Sequence, residues 1–293
     1  LLFKTPLLLY HIILEHRRLK RIIREYAVDI IISDNRFGLW NRKVTSVYVT
    51  HMPLIPLPVT MKFLEPLGFL LHRVIIKKYS MCFIPDLPGD LNLSGRLSHS
   101  IKLPDNVRYI GILSRFIYSS QPIYENPVKF HHNTVILSGP EPQREILKLK
   151  LITLLRNKEP MTVIFEGKPG KEVKIVRDGN ITFYSHLPAL QMKDIIKSSD
   201  SIITRSGYTT VMELVSLNCT ALLIPTPGQT EQEYLAEYLS EKRWFDTVSQ
   251  GELNAGIHLR SDKAALHSEI MSQSSSLLTE ALEEMLEKHH KNG

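Results

Sequence analysis

The chain has 293 residues, 43% of them hydrophobic and 23% charged, with a formal net charge of +6. This composition excludes disordered and fibrous classes and suits one large or two moderate domains. The two cysteines, Cys82 and Cys219, stand far apart without metal spacing, so no disulfide framework is expected and a reduced, cytoplasmic setting fits best. Residues 1–118 hold 17 Lys and Arg against 8 Asp and Glu, and the remainder 19 against 22. A basic N-terminal half suits phosphates or an anionic membrane surface, or is a solvated basic surface. No apolar run reaches the roughly 18 residues that span a bilayer, and no signal-peptide layout precedes the first strand.

Residues 6–26 read as an amphipathic helix. Leu8, Leu9, Ile12, Ile13, Leu19, Ile22, Ile23 and Tyr26 follow helical spacing, and Arg17, Arg18, Lys20, Arg21 and Arg24 fill the other face. Such a helix docks on its own sheet or lies on a membrane surface. Val28–Ser33 is a buried strand by its β-branched run and ends in Asp34 and Asn35. Val44–Thr50 is the next strand and ends at His51; Pro53, Pro56 and Pro58 then forbid regular structure. A helix is predicted over Leu64–Lys77, and strands over Tyr79–Ile84 and Val107–Ile110. Ser114–Phe130, rich in proline, serine and asparagine, breaks the pattern. The expected organisation is an N-terminal domain at 1–118, a linker at 119–130 and a C-terminal domain at 131–293.

The alternation restarts with strands at Thr134–Leu137, Met161–Phe165 and Ile181–Tyr184, and helices at Glu141–Arg156 and Leu187–Ser198. Asp200–Ala236 then reads as strand, turn, helix, strand, turn, helix. Its strands are Ser201–Thr204 and Thr220–Pro225, and its helices follow Gly207 and start near Thr230. Asp262–His290 is the last predicted helix. Strand–helix alternation of this kind predicts an α/β chain of two doubly wound parallel units with a cleft between them.

Both turns of Asp200–Ala236 lie where a strand's C-terminal end meets a helix N-terminus, and free amides with the helix dipole suit a phosphate there. Gly207 permits close backbone approach, and Thr209 and Thr210 add hydroxyls and amides. Glu213 either accepts hydrogen bonds from two ribose hydroxyls or closes a capping box with Thr210. Thr230 and Glu233 form a second predicted capping box, whereas Gln229 and Gln232 carry the donors and acceptors that sugar hydroxyls need, or are exposed polar residues. Gly139, in the turn SGPEPQR, cradles a diphosphate or simply turns the chain. The backbone of Tyr184–Leu187 could meet a base edge, while His186 alone reads as a surface residue. Asp34 and His51 end adjacent predicted strands; an aspartate can orient a histidine base, or Asp34 is a turn residue. No Asp-X-Asp pair stands at a strand end, no GxxxxGK[ST] loop occurs, and His131-His132 and His289-His290 read as surface residues, so no metal is expected.

Together the segments IISDNRFGL, LSGRLSH, YIGILSRF, SGPEPQR, TRSGYTT and IPTPGQTEQEYLA resemble the GT-B glycosyltransferases of family 28, and within it an uncharacterised bacterial group. The family includes the bacterial transferase that adds N-acetylglucosamine to the peptidoglycan lipid precursor. The likeness covers nearly the whole chain, and its specific part is RSGY through GQTEQEYLA. It implies a GT-B fold with a truncated N-terminal domain, and inverting, metal-independent transfer from a UDP-sugar, with no other cofactor, to a hydroxyl acceptor. That acceptor could be a lipid-linked or cell-envelope glycan precursor, reached from the inner face of the plasma membrane; no nucleic acid is implied. Arg205, Ser206, Gly207, Tyr208 and Thr209 would surround the donor diphosphate, joined by Gly139. Glu213 would hold the ribose, Gln229 and Gln232 would touch the donor sugar with Thr230 also in the donor site, and Tyr184, His186 and Leu187 would lie against the uracil. The family's histidine base normally stands in a glycine-rich loop that this sequence lacks, which leaves His51, beside Asp34, as the substitute and suggests that a preceding segment is missing. Two other readings remain: a UDP-sugar epimerase of the same fold, and a non-catalytic, membrane-docked donor-binding module.

Overall fold

The computed structural model describes residues 5–117, 132–253 and 267–292. The linker expected at 119–130 therefore lies outside the described residues. The chain divides into two compact units, Leu1–Ile112 with Ile270–Gly293, and Leu113–Glu269. The expected C-terminal domain ran through residue 293, whereas residues from Ile270 onward group with the N-terminal unit.

In unit 1, α1 (Thr5–Tyr26) precedes a sheet of four parallel strands in the order β1-β2-β3-β4: Ile30–Asp34, Thr45–Val49, Met81–Ile84 and Val107–Tyr109. α2 (Glu65–Ile76) crosses between β2 and β3, and the short α3 (Arg96–His99) between β3 and β4. Tyr48, Ile76, Tyr79 and Cys82 pack as one buried cluster. Gly38 lets α1 approach: a Cβ there would stand 2.5 Å from the Ile12 carbonyl oxygen. Gly111 does the same for the C-terminal helix His267–Asn292, whose Ser274 Cα would lie 2.2 Å from an added Cβ. Arg108 fastens that helix further through two hydrogen bonds to Glu284, of 2.6 and 2.8 Å.

Unit 2 carries seven strands in the order β11-β10-β9-β5-β6-β8-β7. They are β5 (His132–Ile136), β6 (Met161–Phe165), β7 (Ile175–Asp178), β8 (Ile181–Tyr184), β9 (Ser201–Thr204), β10 (Leu222–Leu223) and β11 (Asp246–Thr247). All pairs are parallel except β7 with β8. The helices are α4 (Gln143–Leu155), α5 (Ala189–Ser198), α6 (Tyr208–Ser216) and α7 (Thr230–Glu241). Val135, Leu147, Leu151, Ile164 and Ile203 form the centre of the core between sheet and helices.

The alternation predicted from sequence is present, although β11 and the short α3 were not predicted and three further readings differ. The strand expected over Thr220–Pro225 pairs only at Leu222 and Leu223. β7 was not predicted; its residues are all exposed, so no apolar face marks it, and it returns through Gly179 at φ +58°. His132, expected on the surface, is buried in β5 with Nε2 3.3 Å from the Ile195 carbonyl oxygen.

Candidate functional site

The strand order of unit 2 reverses at β5, which is flanked by β9 on one side and β6 on the other. In an open parallel sheet, the crevice at the strand C-termini beside such a reversal receives ligands. Gly139 follows β5 there, and Gly207 follows β9. A Cβ added at either glycine would meet no atom within 4 Å, so both face open space. Gly139 holds φ +93°, a conformation that favours glycine. Gly207 is the N-cap of α6, with φ −70° and no side-chain cap. The amides of Gly207, Thr209 and Thr210 find no acceptor among the described residues, and Thr209 is exposed. Free first-turn amides on a nine-residue helix concentrate the positive end of its dipole at the switch point.

Several residues expected at this site are turned elsewhere. Arg205 is wholly buried. Its Nη1 donates to the Ile224 and Pro225 carbonyls at 3.2 and 3.1 Å, and its Nη2 to the Gln143 carbonyl at 2.8 Å and Gln250 Oε1 at 2.6 Å. Burial lowers its pKa to about 10, which still leaves it cationic at neutral pH. The guanidinium ties three segments together and is not open to a phosphate. Ser206 is also fully buried, with its hydroxyl on the Gln232 carbonyl at 2.8 Å, and the Tyr208 side chain is buried too. Of the five residues expected around a diphosphate, Gly207 faces open space and Thr209 is exposed, whereas Arg205, Ser206 and Tyr208 are buried.

Neither predicted capping box forms. Helix α6 starts two residues before Thr210, and Glu213 Oε1 pairs instead with Arg115 Nε at 2.8 Å. At α7 the N-cap is Gln229, Thr230 is the first helical residue, and Glu233 accepts from the Gly228 amide at 2.9 Å. Gln232 is buried; its Oε1 accepts from the Thr226 amide at 3.0 Å and its Nε2 donates to Gln229 Oε1 at 2.6 Å. It braces the second turn, leaving Gln229 as the partly exposed amide of the pair. At the end of β8 the Tyr184 and Ser185 carbonyls each accept one amide hydrogen bond, from Glu166 and Lys168. The backbone groups of His186 and Leu187 have no partner among the described residues, and the His186 ring lies 3.0 Å from Ser185 Oγ.

In unit 1, Asp34 ends β1, exposed, beside its register partner Val49 on β2, and the half-buried His51 stands two residues past the end of β2. Tyr48 Oη and Thr50 Oγ1 converge on Asn35 Oδ1 at 3.1 and 3.4 Å. The LSGRLSH motif, left without chemistry by its spacing, surrounds a buried carboxylate that was not predicted. Asp86 Oδ1 accepts from the Leu87 and Leu93 amides, and Oδ2 from the Ser94 amide and hydroxyl. Ser94 Oγ meets Ser98 Oγ at 2.6 Å, which meets His99 Nδ1 at 2.8 Å, while His99 Nε2 meets the Leu87 carbonyl at 2.9 Å. Two hydroxyl protons serve the three contacts between Asp86 and His99, so one further proton resides at an end of the row. Burial pushes the Asp86 carboxyl up, against the pull of Ser94, the Leu93 amide and His99.

With this geometry, the fold is that of the GT-B glycosyltransferases. The glycosyltransferase SnogD from Streptomyces nogalater matches it with a TM-score of 0.56 at 12% identity, over 90% of this chain and 73% of that one. Residues 149–272 match the family model "Glycosyltransferase family 28 C-terminal domain". An uncharacterized glycosyltransferase from Methanosarcina acetivorans is 23% identical over 252 residues, 79% of this chain. The chain spans 63% of that relative's length. A UDP-N-acetylglucosamine–N-acetylmuramyl-(pentapeptide) pyrophosphoryl-undecaprenol N-acetylglucosamine transferase from Oenococcus oeni is 34% identical over 74 residues, 24% of this chain and 20% of that protein.

Proposed function

We propose that this chain transfers a sugar from a UDP-sugar to a hydroxyl acceptor, with inversion and without a metal. The observation that carries the reading is the pair Gly139 and Gly207, open to space on either side of the switch point, with the free amides of α6 beside them. The donor diphosphate binds there, its charge met by those amides and the helix dipole. Glu213 holds the ribose, His186 and Leu187 offer backbone groups to the uracil, and Gln229 reaches the sugar. The acceptor hydroxyl attacks the anomeric carbon, loses its proton to His51 oriented by Asp34, and UDP leaves with the electrons of the broken C–O bond.

Calorimetric titration with UDP in excess EDTA tests the reading: saturable binding is expected, and binding that appears only with a divalent cation overturns the metal-free part. Turnover of a UDP-sugar to its epimer without acceptor would replace transfer by epimerisation.

No helix among the described residues is long and apolar enough to cross a membrane. Contact with a membrane surface is supported by Phe63, Leu67, Leu70, Leu71 and Val74, all more than half exposed on and just before α2. Arg17, Arg18 and Arg21 are exposed on α1 and add positive charge. Sedimentation with phosphatidylglycerol vesicles should weaken when these three arginines are changed to glutamate; unchanged sedimentation removes the membrane contact.

A further inference from the structure

The segment just before the expected linker is fastened across two helices of unit 2. Ser216 Oγ, on α6, donates to Ser114 Oγ at 2.7 Å, and the Phe116 amide donates to the same oxygen at 3.2 Å. Lys193 Nζ, on α5, donates to the Phe116 carbonyl at 3.1 Å, and the Phe116 ring is buried. These bonds aim Arg115 at Glu213. Arg115 Nε lies 2.8 Å from Oε1 and Nη2 lies 3.5 Å from Oε2, with Nη2 also 3.1 Å from the Met192 sulfur. The Glu213 side chain is 13% exposed, so this is not an ordinary surface pair.

We propose that Arg115 is a positioning residue for donor binding: it holds the Glu213 carboxylate ionised and fixed, so that its remaining lone pairs receive the ribose hydroxyls. This rests on the UDP-sugar reading above. A carboxylate offers about four lone-pair sites and the guanidinium occupies two, so cation and ribose bind the same group together. The charge relationship is consistent with this. Burial pushes the Glu213 carboxyl up, and Arg115 pulls it back toward the ordinary range. Arg115 also meets the Met192 sulfur and lies 4.9 Å over the Phe116 ring, both neutral, while Lys193 is directed at the Phe116 carbonyl. Without Arg115 the carboxyl gains its proton at a higher pH and loses the charge that strengthens its hydrogen bonds to hydroxyls.

The test is calorimetry of UDP and 2′-deoxy-UDP on the wild-type chain, Arg115→Ala and Arg115→Lys, from about pH 5 to pH 8, with a melting curve for each. Arg115→Ala should weaken UDP about tenfold, shrink the preference for UDP over its 2′-deoxy analogue, and move the acid-side loss of affinity to higher pH. Arg115→Lys should restore part of each. If Arg115→Ala binds UDP like wild type, or loses affinity with an unchanged pH profile and unchanged 2′-hydroxyl preference, the inference is overturned and Arg115 only fastens the segment. Wild-type protein that ignores UDP overturns the donor reading first, and this inference with it.

Discussion

Each unit buries one ionisable side chain just past a strand end, and each surrounds it with the chain's own polar groups. In unit 1, Asp86 lies two residues beyond β3, and all four of its donors come from one loop, residues 87–94. In unit 2, Arg205 follows β9 directly, and its acceptors come from three separate places: Gln143, Ile224 with Pro225, and Gln250. The acid therefore organises a single loop, while the base ties distant segments together. Both stand at the rim where a parallel sheet receives ligands, and both point inward. A charged residue at a strand mouth serves the ligand only when its side chain has no better partners within the fold.

Replacing each charge by a residue of similar volume puts the comparison to work. Asp86→Asn turns one acceptor oxygen into a donor that faces amide or hydroxyl donors, and should cost about 3 kcal/mol. Arg205→Met leaves three carbonyls and the Gln250 side chain without their donor, and should cost about 2 kcal/mol. Urea midpoints measure both. The folded Arg205→Met protein should retain UDP affinity. A full loss of affinity with an unmoved midpoint would restore Arg205 as a phosphate ligand.

The same contrast explains what could be read from the sequence. The β-branched runs around Ile31, Ile164 and Ile203 marked the strands, because a buried parallel strand leaves a continuous apolar signal. Gly139 and Gly207 were legible because glycine often marks the turn after a strand, although of the two only Gly139 takes a positive φ. Arg205 and Ser206 were legible in place and not in direction, since spacing along the chain does not reveal which way a side chain turns after a strand ends. Glu213 was read as a ribose holder or a cap; its actual partner, Arg115, lies 98 positions away in sequence, and nothing local announces that. Asp86 was missed for a similar reason: three of its four donors are backbone amides, which every residue but proline carries. β7 was missed because its residues are all exposed.

The smallest expected change in stability belongs to a residue whose substitution should nonetheless weaken binding. Gly207 has φ −70° and ψ 134°, a region open to alanine, and a methyl group there meets no atom within 4 Å. Gly207→Ala should therefore leave the urea midpoint within about 0.5 kcal/mol of wild type, the loss of a favoured N-cap residue offset by a stiffer unfolded chain. Gly139→Ala is the counterpart: at φ +93° it should cost about 1 kcal/mol through backbone strain alone. The added methyl at 207 stands between the α6 amides and any phosphate approaching them, so UDP affinity should fall about tenfold, the loss of one charge-assisted hydrogen bond. Stability intact with binding lost is the signature of a glycine kept for ligand approach. If Gly207→Ala binds UDP as well as wild type, the phosphate does not sit at the β5–β9 switch point, and the neighbouring turn at Pro227–Gln229 becomes the place to look.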